Sequence, residues 1–241
     1  MRDEAVKAVG RGAGSSPAAG AASGAKSPKR RSSRELALAD ELERSLGTRQ
    51  AGRFKERLVT ANAAFEREHY LEVRKLLAPV IVEVPDLAMA RELVGLSQYR
   101  LGRWRQATVE LEAHRALTES AEHLAVLADC YRALRKYAQV KVVWEELKAA
   151  SPSAAVIAEG RIVYASSLAD QGDLRGALKE LASAETMPRR IRDHHVRLWY
   201  VLGDLYDRSG DSTRARQFFQ RVEDAIPGYV DVRDRIAGLG R

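Results

Sequence analysis

Residues 199–206 read Trp199-Tyr200-Val201-Leu202-Gly203-Asp204-Leu205-Tyr206, and Gly210, Ala215, Phe219 and Pro227 follow at set intervals. The block places a small residue, Gly203, in an apolar segment of helical spacing, then a second small residue twelve positions on and a bulky one sixteen positions on. The same arrangement recurs upstream. Ala61, Gly95, Ala128, Ala165 and Gly203 are separated by 34, 33, 37 and 38 residues. Twelve residues after each comes Val73, Ala107, Val140, Ala177 or Ala215, and sixteen after comes Leu77, Leu111, Trp144, Leu181 or Phe219. Nine residues after come Tyr70, Trp104, Tyr137 and Leu174, with Ser212 breaking the set. Self-similarity at such a period is the mark of a helical repeat.

The pattern has a mechanical reading. A small residue in a first helix lets the second helix approach closely, a small residue in the second makes the reciprocal contact, and the bulky residue fills the space towards the next pair. From residue 52 onward the apolar positions recur at helical spacing, with no competing period of two. Arg100-Leu101-Gly102-Arg103, Asp170-Gln171-Gly172-Asp173 and Arg208-Ser209-Gly210-Asp211 supply the turns between paired helices, with glycine taking positive φ. Pro85, Pro152 and Pro227 stand where second helices end, since proline removes a backbone donor.

These residues together resemble the tetratricopeptide repeat (TPR). The last unit carries the likeness best, and the second keeps Gly95, Gly102, Trp104, Ala107 and Leu111 but has Arg91 where the family favours Trp. Units one, three and four are degenerate: Ala61, Ala128 and Ala165 replace the first glycine, and Glu68 and Arg135 replace two turn glycines. The stretch Gly95–Trp104, followed by Leu127–Tyr131, is also similar to TPR proteins of actinobacteria. The resemblance implies an all-α, TPR-type α-solenoid of about five antiparallel helix pairs. The units fall near 54–87, 88–121, 121–154, 158–191 and 196–229, within 52–229. Extra residues around 151–160 and 186–194 either extend first helices or lengthen connections. Tyr229, Val232, Ile236 and Leu239 predict a capping helix over 230–241.

The formal net charge is +7, and residues 1–34 hold +6 of it. Residues 1–33 are rich in Gly, Ala and Ser with almost no large apolar side chain; such a segment cannot offset its ordering entropy and is expected to be disordered. Lys26, Lys29, Arg30, Arg31 and Arg34 form a basic cluster suited to a polyanion. Ser32-Ser33-Arg34-Glu35 has the form of a capping box, and Leu38, Leu42 and Leu46 follow at four-residue spacing until Gly47. That predicts a short amphipathic helix over 34–47. No run of 18 apolar residues exists, and the single Cys130 fits a reducing compartment. The expectation is a cytoplasmic protein without a membrane span.

No phosphate loop, Gly-x-Ser-x-Gly or His-Glu-x-x-His motif is present. The expectation is no catalytic, cofactor-binding or metal-binding residue. His69, His114, His123, His194 and His195 are read as helix-end residues, Cys130 as a packing residue, and Trp104, Trp144 and Trp199 as core. The resemblance places binding in a groove lined by the first helix of each pair. By position the groove shows Asn62 and Glu66 in unit one, and Glu92, Tyr99 and Arg100 in unit two. Unit three adds Glu122, Asp129 and Arg132, unit four Glu159 and Asp170, and unit five Tyr200, Asp204, Asp207 and Arg208. The acidic excess points to a neutral to basic peptide or helix; a solvated face of mixed charge has the same composition. One TPR subclass clamps the terminal carboxylate of chaperone tails with Lys, Asn and Arg side chains. Only Asn62 matches it, against Leu58, Leu93, Glu122 and Val126, so a chaperone tail is not the expected ligand. Two function classes follow: a non-catalytic protein-interaction scaffold, or a nucleic-acid- or ribosome-associated factor acting through the tail.

Removing residues 1–33 is expected to leave the melting temperature unchanged and to abolish most low-salt retention on RNA or DNA. Equal retention by full-length and shortened chains would show that the basic cluster binds no polyanion.

Overall fold

The computed structural model describes residues 48–239. The tail expected over 1–33, its cluster from Lys26 to Arg34, and the helix expected over 34–47 lie outside the described residues. Among those described there are eleven α-helices, one 3-10 turn and no strand. They form two compact units, within 48–120 and within 121–239.

In the first unit α1 (Thr48–Glu66) and α2 (Tyr70–Glu83) form one antiparallel pair, and α3 (Ala88–Arg100) and α4 (Trp104–Thr118) the next. Phe54, Leu58, Val73, Leu77, Val80 and Leu87 form its core. In the second unit α5 (Leu124–Ala133) pairs with α6 (Tyr137–Ala150), α7 (Ala154–Asp170) with α8 (Leu174–Leu181), and α9 (Asp193–Arg208) with α10 (Ser212–Ala225). The short α11 (Val232–Gly238) closes the apolar face of α10 with Val232 and Leu239, both buried. Each first helix packs on its own second helix and, within a unit, on the pair before it.

The positions singled out by spacing are the ones that make these contacts. Val73, Ala107, Val140, Ala177 and Ala215, and Leu77, Leu111, Trp144, Leu181 and Phe219, are none of them more than 2% exposed. A Cβ built on Gly203 would stand 2.7 Å from Phe219 Cε1, and one on Gly95 would stand 2.9 Å from Leu111 Cδ2. Those distances leave no room for a methyl group. Side chains as large as Phe219 contribute roughly 1.5–3 kcal/mol each when buried, and they reach full burial because the opposing helix is bare.

The turns repeat as closely as the cores. Gly102, Gly172 and Gly210 take positive φ, and so do Glu68 (61°) and Arg135 (58°), which occupy the same turn position. In each case the next residue's N–H reaches back to the preceding helix: Arg103 to Gln98 O, Lys136 to Tyr131 O, and Asp211 to Tyr206 O, all within 2.9 Å. The geometry is therefore kept where glycine is not, at a left-handed cost of about 1–2 kcal/mol. Asp173 and Asp211 then cap α8 and α10 by accepting from Gly176 N and Arg214 N.

The two long spacings have different causes. In the fourth unit the first helix is extended, α7 having 17 residues against 10 in α5. In the fifth the connection is lengthened, because α8 stops after eight residues and 182–192 runs through a 3-10 turn before α9. Pro85, Pro152 and Pro227 follow the ends of α2, α6 and α10, whereas Pro79 lies inside α2. Pro79 is solvent-exposed.

Replacing Gly203 or Ala215 by Trp is expected to destabilise the fold by roughly 1–3 kcal/mol or more, through overpacking. Arg135→Gly, by contrast, should stabilise it by up to about 1 kcal/mol by relieving the left-handed backbone. Thermal or denaturant unfolding checks both signs, and unchanged midpoints for the Trp variants would show that the helices do not meet at these residues.

Candidate functional site

Of the residues that the resemblance assigns to a groove, all but Glu122, which precedes α5, lie on the first helices. In the first unit Asn62 is half-buried and its Nδ2 donates to Glu66 Oε1 at 3.1 Å. Arg100 stands over the Tyr70 ring, 6.0 Å from its centroid. Tyr99 is buried, with its ring edge-on to Trp104. It serves the core rather than a surface. Leu58, Leu93 and Val126, at positions where a carboxylate clamp needs polar side chains, are buried as well.

In the second unit the charged residues form a ladder between successive first helices. Arg132 on α5 donates from Nε to Asp129 Oδ1 at 2.9 Å and from Nη1 to Asp170 Oδ2 on α7 at 3.0 Å. Arg132 and Asp129 are buried. Burial alone would ease the proton off Arg132, but the charges of Asp129 and Asp170 outweigh it and hold the guanidinium more firmly charged. On α9, Arg197 Nη2 lies 2.8 Å from Glu159 Oε1 of α7, and Arg208 Nη2 donates to the Ala169 carbonyl at 3.1 Å. Burial pushes the Glu159 carboxyl above its ordinary range; Arg197 opposes the shift and Asp129 adds to it.

The ladder ends on a residue that sequence reasoning did not single out. Arg235 of α11 donates from Nη2 to Asp204 Oδ1 at 2.8 Å and to Asp207 Oδ2 at 3.1 Å, and its guanidinium lies over Phe219. The Tyr200 hydroxyl donates to Asp231 at the start of α11, and the ring is buried. Extending the repeat by one helix past Pro227 would have put α11 on this face. Much of the acidic excess counted along the first helices is thus offset by arginines of neighbouring helices. The carboxylates of Asp170 and Asp207 and the guanidinium of Arg208 keep part of their exposure, at 32%, 38% and 41%, and Glu122, ahead of α5, is exposed.

The residues read as inert divide. Cys130 is fully buried, and burial, reinforced by Asp129, drives its thiol far above the usual range, which suppresses the thiolate. Trp144 and Trp199 are core, while Trp104 is half-buried. His114 and His194, expected to be exposed, are buried; His114 Nδ1 lies 3.1 Å from the Ala88 carbonyl. His195 Nδ1 accepts the Arg192 N–H at 3.0 Å, which caps α9. Burial lowers the pKa of both His194 and His195; the neighbouring His195 and then Arg192 add to the shift at His194, and Arg192 adds to it at His195.

No helix among the described residues is long and apolar enough to cross a membrane. No protein-family model matches the chain, and no curated protein matches it. Among solved structures, the chain is similar to a thermophilic TPR protein in Thermus thermophilus, with a TM-score of 0.60 and 18% sequence identity. The match covers 77% of this chain and 98% of that one. With the register of small and bulky residues and the repeated left-handed turns, it establishes that the chain has the fold of a TPR helical-repeat protein.

Proposed function

We propose that the chain is a non-catalytic scaffold that docks a neutral to basic peptide or helix of a partner protein against the first helices of residues 121–239. The ordered polar ladder on that face carries this reading. Arg132, Arg197 and Arg235 fix the side chains of α5, α7 and α9 in place before any ligand arrives, so little rotamer entropy remains to be lost on binding. Asp170 and Asp207, still partly open to solvent, are the acceptors left for a cationic or hydrogen-bonding ligand. Fold alone does not dictate function, and the polarity of the face is what favours a peptide over an apolar ligand.

Asp129 and Glu159 are poor probes of such contacts. Each is engaged with an arginine inside the fold, and removing one partner of a buried pair costs roughly 3–5 kcal/mol in stability. Asp170 and Asp207 also pair with arginines but stand more open to solvent, so the milder Asp170→Asn and Asp207→Asn, with melting temperatures compared with wild type, test the surface. Once a partner has been captured on the full chain and identified, its affinity for these variants is expected to fall by about tenfold at low salt. Lys141→Glu, on the exposed side of α6, should leave affinity unchanged. Equal affinity across all three variants would remove the first-helix face from the account.

A further inference from the structure

We propose that the cleft between α7 and α9, beneath the 182–192 connection, is a second docking site, built for an acidic peptide segment that carries one apolar anchoring side chain. The cleft exists because α8 is short. The other second helices run 14 or 15 residues, whereas α8 has eight. The chain leaves the α8 line early, and the 182–192 connection borders a cleft of about 320 Å³ lined by the N-terminal halves of α7 and α9. That is the lower end of the range for ligand pockets, roughly 300–1,000 Å³. Its size suits a side chain better than a cofactor.

The lining is apolar on one side and cationic on the other. Ile157, Ala158 and Leu198 supply the apolar wall. Arg161 stands opposite, half-buried, with Nη1 donating to Ser183 Oγ. Its Nε is buried without a hydrogen bond, and the nearest carboxylate oxygen, Glu180 Oε1, stands 3.6 Å away. The connection is pinned at both ends, which keeps the cleft open. Trp199 Nε1 donates to the Ala184 carbonyl at 3.1 Å, and His195 Nδ1 holds the Arg192 N–H.

Between those pins the chain displays Met187-Pro188-Arg189-Arg190-Ile191-Arg192. Arg189, Arg190 and Arg192 are exposed, and so are Met187 (61%) and Ile191 (45%). Arg189 and Arg190 form no ion pair or hydrogen bond with the described residues. Over 186–195 the only carboxylate is Asp193. Unpaired arginines beside exposed Met and Ile have the composition of a protein interface, and their charge calls for an acidic occupant. Residues 1–34 of the chain are excluded as the occupant, because they carry +6 and repel the same loop. A nucleic acid meets the charge but offers no aliphatic side chain for the wall of Ile157, Ala158 and Leu198. An acidic peptide with a leucine meets both.

The test is fluorescence anisotropy at low ionic strength, on the full chain, with a fluorescein-labelled peptide Glu-Asp-Glu-Leu-Glu-Asp-Glu. A peptide with serine in place of leucine and a short oligothymidylate serve as comparison probes. Arg189→Glu/Arg190→Glu alters the rim and Ala154→Trp blocks the mouth; all three positions are exposed, and melting temperatures confirm that the variants fold. The N-terminal tail is present throughout, so its contribution cancels between variants. The leucine peptide is expected to bind the wild-type chain and to weaken roughly tenfold or more in the double arginine variant. Loss of the leucine, or the Ala154→Trp block, should each weaken it severalfold. The proposal is overturned if the leucine peptide does not bind, if the arginine variant binds it equally, or if leucine and serine peptides bind alike. It is also overturned if the arginine variant discriminates only against the oligothymidylate.

Discussion

Gly203 and Phe219 meet with no space between them: a methyl on the glycine would stand 2.7 Å from the ring. Gly95 and Leu111 repeat the arrangement sixteen residues apart, at 2.9 Å. Where alanine replaces the glycine, as at Ala61, Ala128 and Ala165, it is almost wholly buried, like its bulky counterparts Leu77, Trp144 and Leu181. Backbone-to-side-chain closeness of this kind sets the separation of paired helices, and a core at native density tolerates little variation in it. The rest of the fold follows: turns short enough to reverse the chain, and first helices held side by side with their polar faces aligned.

That alignment has electrostatic consequences. Charged residues repeating along neighbouring first helices are brought within reach of each other, and in residues 121–239 they pair as Arg132 with Asp170, Arg197 with Glu159, and Arg235 with Asp204 and Asp207. Buried ion pairs add little net stability over an apolar contact. Their effect here is order, since they hold one arrangement of a face that would otherwise be mobile. The short α11 takes part on equal terms, closing the apolar end of α10 and sharing the Arg235 guanidinium between Asp204 and Asp207.

Much of the fold was legible in the sequence because the packing constraint acts on residue size at set intervals. A spacing of twelve and sixteen from each small residue found buried residues in all five helix pairs, and even the degenerate turns at Glu68 and Arg135 fell in register. Contacts between repeats were not legible. Gly160 on α7 lies directly against Leu147 and Trp144 of α6, but no other unit has glycine at that position and only the second has a small residue, Ala90. The early end of α8 left no proline or glycine signal at residue 182. The groove was legible as a list of residues but not as a surface. Position along a helix does not reveal that Tyr99 and Tyr200 turn inward, nor that an arginine from a following helix consumes a carboxylate.

The most direct test of the packing account is a double-mutant cycle on Gly203→Ala and Phe219→Ala, read by denaturant unfolding. In the wild-type background the added methyl meets the Phe219 ring, and Gly203→Ala should destabilise the protein. With Phe219 truncated the methyl enters vacated space, and the same change should stabilise it, helped by the roughly 1 kcal/mol advantage of Ala over Gly in a helix. A coupling of about 0.5–3 kcal/mol is the expected result for residues in contact. The same sign and size of effect in both backgrounds would contradict the account.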